Sequence, residues 1–102
     1  MFRPGNMRGL GLSYYLLERH DEAIQVFLDS VAKEPEYLTA HSYLAAIYAE
    51  RGNQSEAEAS AQQILRLSPG FSIKAYVGKL SFSDPSVLTR ITTGLRQAGL
   101  PE

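Results

Sequence analysis

The chain has 102 residues, a formal net charge of −1 and 44% hydrophobic residues, which suits one small core and excludes two independent domains. It contains no run of about 18 apolar residues that could span a bilayer, and its N-terminus lacks the regions of a signal peptide, so we expect a cytoplasmic protein. The absence of cysteine excludes disulfides, thiolate nucleophiles and cysteine-based zinc sites.

The first predicted helix runs from about Pro4 to Leu17, with proline in the first turn, where no backbone donor is needed. Interior glycines weaken it, and Gly11 is the one that we expect at a close contact with a neighbouring helix. A second helix should begin near Asp21 as its N-cap and end at Pro35. Its buried face is predicted at Ala23, Ile24, Phe27, Leu28 and Val31.

A third helix is predicted from about Tyr37 to Arg51, closed by left-handed residues at Gly52-Asn53. Ser55 and Glu58 have the spacing of a capping box, so the fourth helix should start there and end at Pro69-Gly70. The apolar positions expected in the core of these two helices are Leu44, Ala45, Tyr48, Ala57, Ala61, Ile64 and Leu65.

Two further helices, the first of them brief, should follow as a terminal cap. The first is predicted from Ser72 to about Leu80, and the second from Pro85 to about Ala98, because Ser83-Asp84-Pro85 reads as an N-cap followed by a first-turn proline. The residues that we expect them to bury are Ile73, Tyr76, Val77, Leu80, Val87, Leu88, Ile91 and Leu95.

The chain also repeats itself after 34 residues, since Leu10, Tyr14, Ala23 and Pro35 return as Leu44, Tyr48, Ala57 and Pro69. A period of this length is typical of a solenoid, in which each unit buries its apolar face against the next. Beyond Pro69 the register persists only as a pattern of polarity. We therefore expect a repetitive architecture with a binding surface instead of a catalytic pocket.

The residues that carry the period resemble the tetratricopeptide repeat (TPR). The first unit has Leu10, Gly11, Tyr14, Ala23, Phe27, Ser30 and Pro35, and the second has Leu44, Ala45, Tyr48, Ala57, Ala61, Ile64 and Pro69. The resemblance covers residues 4 to 71, with Met7 and His41 where the family often has Trp. It implies an all-α, right-handed solenoid of antiparallel helix hairpins, forming one TPR-like domain over 1–102: repeat 1 at 4–37, repeat 2 at 38–71 and a degenerate capping helix pair at 72–102.

The tail, from Phe71 to Glu102, resembles the C-terminal end of bacterial proteins in which such repeats follow a class III adenylate or guanylate cyclase domain, or a winged-helix regulator domain. The residues that carry this resemblance are Phe82, Asp84-Pro85 and the ending Gly94-Leu95-Arg96-x-Ala98-Gly99-Leu100-Pro101-Glu102. It implies that the chain is part of a larger bacterial signalling protein.

Charge is unevenly distributed along the sequence. Residues 18 to 58 carry nine acidic and three basic residues, whereas both flanking segments are net basic. This arrangement has two interpretations. One is ordinary solvated helix faces; the other is head-to-tail attraction or a basic surface for an acidic partner. The scattered bases make a poor phosphate track, so nucleic acid is not an expected partner.

No catalytic or metal motif is present. His20 beside Asp21 is interpreted as a turn residue, and His41 as a core residue. The two histidines do not have the helical spacing of metal ligands, so no zinc site is expected. Gly9-x-Gly11 lacks both the preceding strand and the following Gly-Lys-Ser/Thr of a phosphate loop. We therefore expect no enzyme and no cofactor.

The TPR resemblance places the concave face on the first helix of each unit. The implied groove, here called the predicted groove, consists of Arg8, Leu12, Tyr15, Leu16, Thr39, Ser42, Tyr43, Ala46 and Ala49. Leu12 and Tyr43 stand where some family members have the asparagines of a carboxylate clamp, which disfavours a ligand that is held by its C-terminus.

Two functions remain open at this point. The first is a non-catalytic protein–protein interaction module that binds a peptide or partner helix in the predicted groove. The second is self-association, in which the apolar patch of Leu12, Tyr15 and Leu16 meets a second copy and helps a cyclase or regulator to dimerise. That patch also suits contact with a further repeat upstream.

Overall fold

A computed structural model of the protein describes residues 4–79 and 85–102, with side chains from Leu10 onward. All regular secondary structure in these residues is helical. The six helices are α1 (Pro4–Leu16), α2 (His20–Lys33), α3 (Leu38–Glu50), α4 (Gln54–Leu67), α5 (Ile73–Val77) and α6 (Pro85–Gln97). Their existence and order confirm the prediction from periodicity, and most ends agree to within one or two residues.

The predicted N-caps of α2 and α4 are wrong. α2 begins at His20, with Arg19 at the capping position, and α4 begins at Gln54, with Asn53 there; neither side chain accepts a capping hydrogen bond from its helix. Asp21 therefore lies inside the first turn, where its carboxylate pairs with Arg51 at the end of α3. A tertiary ion pair and the favourable interaction of an acid with the helix N-terminus replace the local cap.

The chain reverses between α3 and α4 at Gly52, whose φ of +80° is left-handed as predicted. Asn53 was expected to share that conformation but has a φ of −84°. Ser55 lies within α4, so the expected capping box is not formed. One glycine suffices because a single left-handed residue turns the backbone so that the amides at the helix end donate to its last carbonyl groups.

The central element is α3, which is buried along almost its whole length. It packs against α2, α4 and α6, while α1 pairs with α2. At the α1–α2 contact, a Cβ on Gly11 would lie 2.6 Å from Cζ of Phe27, which confirms the expected close approach at this glycine. His41 on α3 is 8% exposed, which confirms it as a core residue.

The C-terminal segment closes the fold. Val87, Ile91 and Leu95 of α6 are buried as predicted, and Ser72 caps α5 by accepting a hydrogen bond from the amide of Ala75. Ile73 donates its amide to the carbonyl of Pro101 at 2.9 Å, which ties the chain end to α5. The predicted burial of Leu80 and the predicted cap at Ser83-Asp84 lie outside the described residues.

Candidate functional site

Most of the predicted groove is covered. Tyr15, Ser42, Tyr43, Ala46 and Ala49 are buried, Leu12 and Thr39 are half-buried, and the side chain of Arg8 lies outside the described residues. Only Leu16 is clearly exposed, at 44%. These side chains therefore line a surface that is already occupied in this conformation.

The occupant on α3 is helix α6. A Cβ on Gly94 would lie 2.8 Å from Cα of Ala46 and 2.9 Å from its carbonyl oxygen. Such an approach is possible only because Gly94 has no side chain. Tyr43 is held from the other side, where its ring stacks on Phe27 with centroids 5.1 Å apart. Ser42 is satisfied within α3, donating to the carbonyl of Leu38 at 3.0 Å.

Arg90 fixes α6 to the far end of the same surface. Its Nε donates to Glu50 at 3.0 Å and its Nη2 to Glu18 at 3.2 Å. The guanidinium also lies 4.5 Å from the centroid of the Tyr15 ring, within the range of a cation–π contact. A base from the basic C-terminal part thus meets acids from the acidic middle, inside one chain.

These contacts shift the pKa values of Arg90 and Tyr15. Burial lowers the pKa of Arg90, but the neighbouring Tyr15, Glu50 and Glu18 outweigh it and the net direction is upward. Burial, and next the Glu50 carboxylate, raise the pKa of Tyr15 well above its usual value. Tyr15 is therefore a neutral phenol and Arg90 a fixed cation at all physiological pH values.

A second surface, on the opposite side of α3, stays open. We call it the α2–α4 groove; it has a volume of 270 Å³ and is lined by Leu28, Val31, His41, Leu44, Tyr48, Glu56, Ala59, Ser60 and Gln63. Leu44 and Ala46 differ by about 200° around α3, because each residue turns a helix by about 100°. The α2–α4 groove and helix α6 therefore occupy opposite faces of α3.

The walls and floor of the α2–α4 groove are mainly apolar. Leu28 was predicted to be buried, but it is 39% exposed because it stands at the rim. The Nε2 atom of His41 lies 2.8 Å from the carbonyl oxygen of Pro35, so this ring is already engaged within the chain. Burial, followed by the charge of Glu56, raises the pKa of Tyr48, which keeps its phenol neutral.

Two other clefts are lined mainly by charged residues. One is formed by the loop after α2 together with Arg66. Another surrounds the start of α2, where Nε2 of His20 lies 3.5 Å from the Glu18 carboxylate. A further cleft lies between the start of α3 and α5. Within the described ranges, no three His, Cys, Asp or Glu residues gather in a way that would hold a metal ion. None of the described helices is long and apolar enough to cross a membrane.

Sequence reasoning missed the α2–α4 groove, although one signal was present. Leu28 and Val31 were assigned to a single buried face of α2, together with Phe27. That face is wider than one partner helix covers, so its edge had to reach either a further helix or solvent. No family model matches the chain, and the comparison with curated proteins finds no match either.

Proposed function

We propose that this protein is a non-catalytic protein–protein interaction module of the TPR type. In this proposal α1–α2 and α3–α4 are successive repeat units of a right-handed solenoid of antiparallel hairpins, and α5–α6 is the capping pair. The 34-residue register supports it, because Gly11 and Ala45 are buried at equivalent positions of the two units. The module belongs to a larger cytoplasmic signalling protein of bacteria, and it uses no cofactor, nucleic acid or membrane.

The α2–α4 groove is the observation that carries this proposal. The predicted groove is covered by α6 at Ala46 and Tyr15, and α6 itself buries Val87, Ile91 and Leu95. A peptide that competes for that surface faces a tethered helix, whose effective concentration is on the order of millimolar. An apolar groove that is already open has no such competitor. The peptide or partner helix therefore binds mainly between α2 and α4.

A peptide-display selection against the folded protein tests this function. We expect the selected peptides to lose binding to Ala59→Arg, which places a long charged side chain in the groove from an exposed position. Gln62→Arg is the matched control, since it adds the same charge at an exposed position of α4 that does not line the groove. Peptides that bind both variants equally, or a selection without enrichment, would contradict the proposal.

Self-association remains the second candidate. Leu16 is the last residue of α1 and Leu17 follows it, and 44% and 66% of their surfaces are exposed, so the two form a contiguous apolar patch of the kind that marks interfaces. Light scattering behind size-exclusion chromatography over about a hundredfold concentration range distinguishes the two functions. A mass that stays near 11.3 kDa leaves interaction with another protein as the function. A mass of twice that value, reduced by Leu17→Ser, establishes the dimer instead.

A further inference from the structure

We infer that the ligand of the α2–α4 groove is a basic amphipathic helix: two turns with apolar residues spaced three and four apart, and a lysine or arginine beside Glu56. This inference rests on the proposed function and specifies its partner. It follows from the chemistry of the groove lining, from its length, and from the way in which this chain holds its own helix on the other side of α3.

Helix α6 shows how α3 receives a helix. Val87, Ile91 and Leu95 form one apolar stripe, at spacings of four, and all three are buried. Arg90 stands beside the stripe, and its guanidinium meets two carboxylates and the face of Tyr15. The combination is an apolar contact that supplies affinity and one cation that fixes direction and register.

The α2–α4 groove offers the same combination without an occupant. Leu28, Val31 and Leu44 supply the apolar contact, and Tyr48 supplies an aromatic ring. Glu56 is the acidic residue of the lining, and it lies near enough to Tyr48 to influence the phenol. Residues 18 to 58 hold nine acidic and three basic residues. Arg90 pairs with two of these acids on the opposite face of α3, and the remaining excess of acids attracts a basic ligand from a distance.

The form of the lining favours a helix over an extended peptide. An extended backbone needs donors and acceptors from its host, as when a strand adds to a sheet edge. This groove lies between helices whose backbone groups bond internally, and His41 is already engaged with Pro35. A helical ligand satisfies its own backbone. The small side chains of Ala59 and Ser60 also allow a close approach of the helix axis.

The dimensions set the length of the contact. From Glu56 to Gln63 the α4 wall extends about 10 Å, at a rise of about 1.5 Å per residue, which is two turns of a bound helix. The volume of 270 Å³ is below the range of about 300–1,000 Å³ that is usual for small-molecule sites. It suits the apolar side chains of positions i, i+3 or i+4, and i+7 of a peptide.

Two designed peptides of 14 residues test the inference. Both carry the same leucine stripe at helical spacing; one has lysines and the other glutamates on the flanks of that stripe. Fluorescence anisotropy should show the lysine peptide binding roughly tenfold more tightly at low ionic strength, with the difference shrinking as salt is added. Glu56→Lys should reduce that preference to about threefold or less, whereas the matched control Glu58→Lys, outside the groove, should retain most of it.

The outcomes separate this inference from the proposed function. Equal binding of the two peptides, or selected groove-dependent peptides that are acidic or remain extended by circular dichroism, would overturn the basic helix and leave the interaction module standing. If the lysine peptide still binds the Ala59→Arg variant, its site lies elsewhere and the inference is overturned. If neither the peptides nor the selection yields any groove-dependent ligand, both proposals are wrong.

Discussion

Gly94→Val is the sharpest test of the arrangement of α6. A Cβ at this position would lie 2.8 Å from Cα and 2.9 Å from Cβ of Ala46, closer than ordinary packing allows. The nearest atoms belong to the backbone and the first side-chain carbon, so no rotamer change relieves the contact. Overpacking of this kind costs about 1–3 kcal/mol. Valine recovers only about 0.4 kcal/mol in helix propensity over glycine, so we expect a net loss of about 2 kcal/mol.

Urea unfolding of the wild type and of Gly94→Val measures this loss directly. In thermal melting, a loss of about 2 kcal/mol should lower the Tm by about 8–16 °C, at about 4–8 °C per kcal/mol for a domain of this size. Thr93→Val is the control, because Thr93 is the exposed neighbour on α6 and the change is nearly isosteric; we expect it to stay within about 0.5 kcal/mol. A Gly94→Val protein as stable as the wild type would refute the packing of α6 on α3.

Three further predictions concern side chains with distinct surroundings. Arg90→Met should lower the free energy of unfolding by about 1–2 kcal/mol, because it leaves Glu50, whose side chain is partly buried, without its cation. Arg96→Met, at an exposed position, should have no measurable effect, and equal losses of the two variants in urea would contradict the difference in burial. The raised pKa of Tyr15 means that its neutral form stabilises the fold fully below pH 10 or so and that this contribution disappears as pH rises further. Tyr15→Phe should therefore flatten the alkaline decline of stability measured from about pH 10 to 12, and an unchanged slope would count against the burial of this phenol. Ala57→Arg puts a charge at a fully buried position and should abolish cooperative melting, whereas Ala59→Arg should melt like the wild type; similar curves for both would show that the register of α4 is wrong.

The helices themselves could be predicted from local sequence patterns. Pro4 and Pro85 mark the starts of α1 and α6, and Gly52 marks the reversal after α3, because these residues restrict or free the backbone whatever surrounds them. The capping residues were harder to place. Asp21 and Ser55 each lie one residue inside the helix that they were expected to begin, since several polar residues near a helix end compete for the same role.

The sequence by itself therefore determined which segments are helical, which face of each is apolar, and the 34-residue register of the repeated residues. Only the tertiary structure decided that α6 lies against the predicted groove and that the opposite face of α3 stays open. The apolar periodicity of a helix shows that one side is buried, but not against which neighbour. Here the deciding contacts join Arg90 to Glu50 and Glu18, which are 40 and 72 residues away along the chain. No local pattern encodes such a pairing.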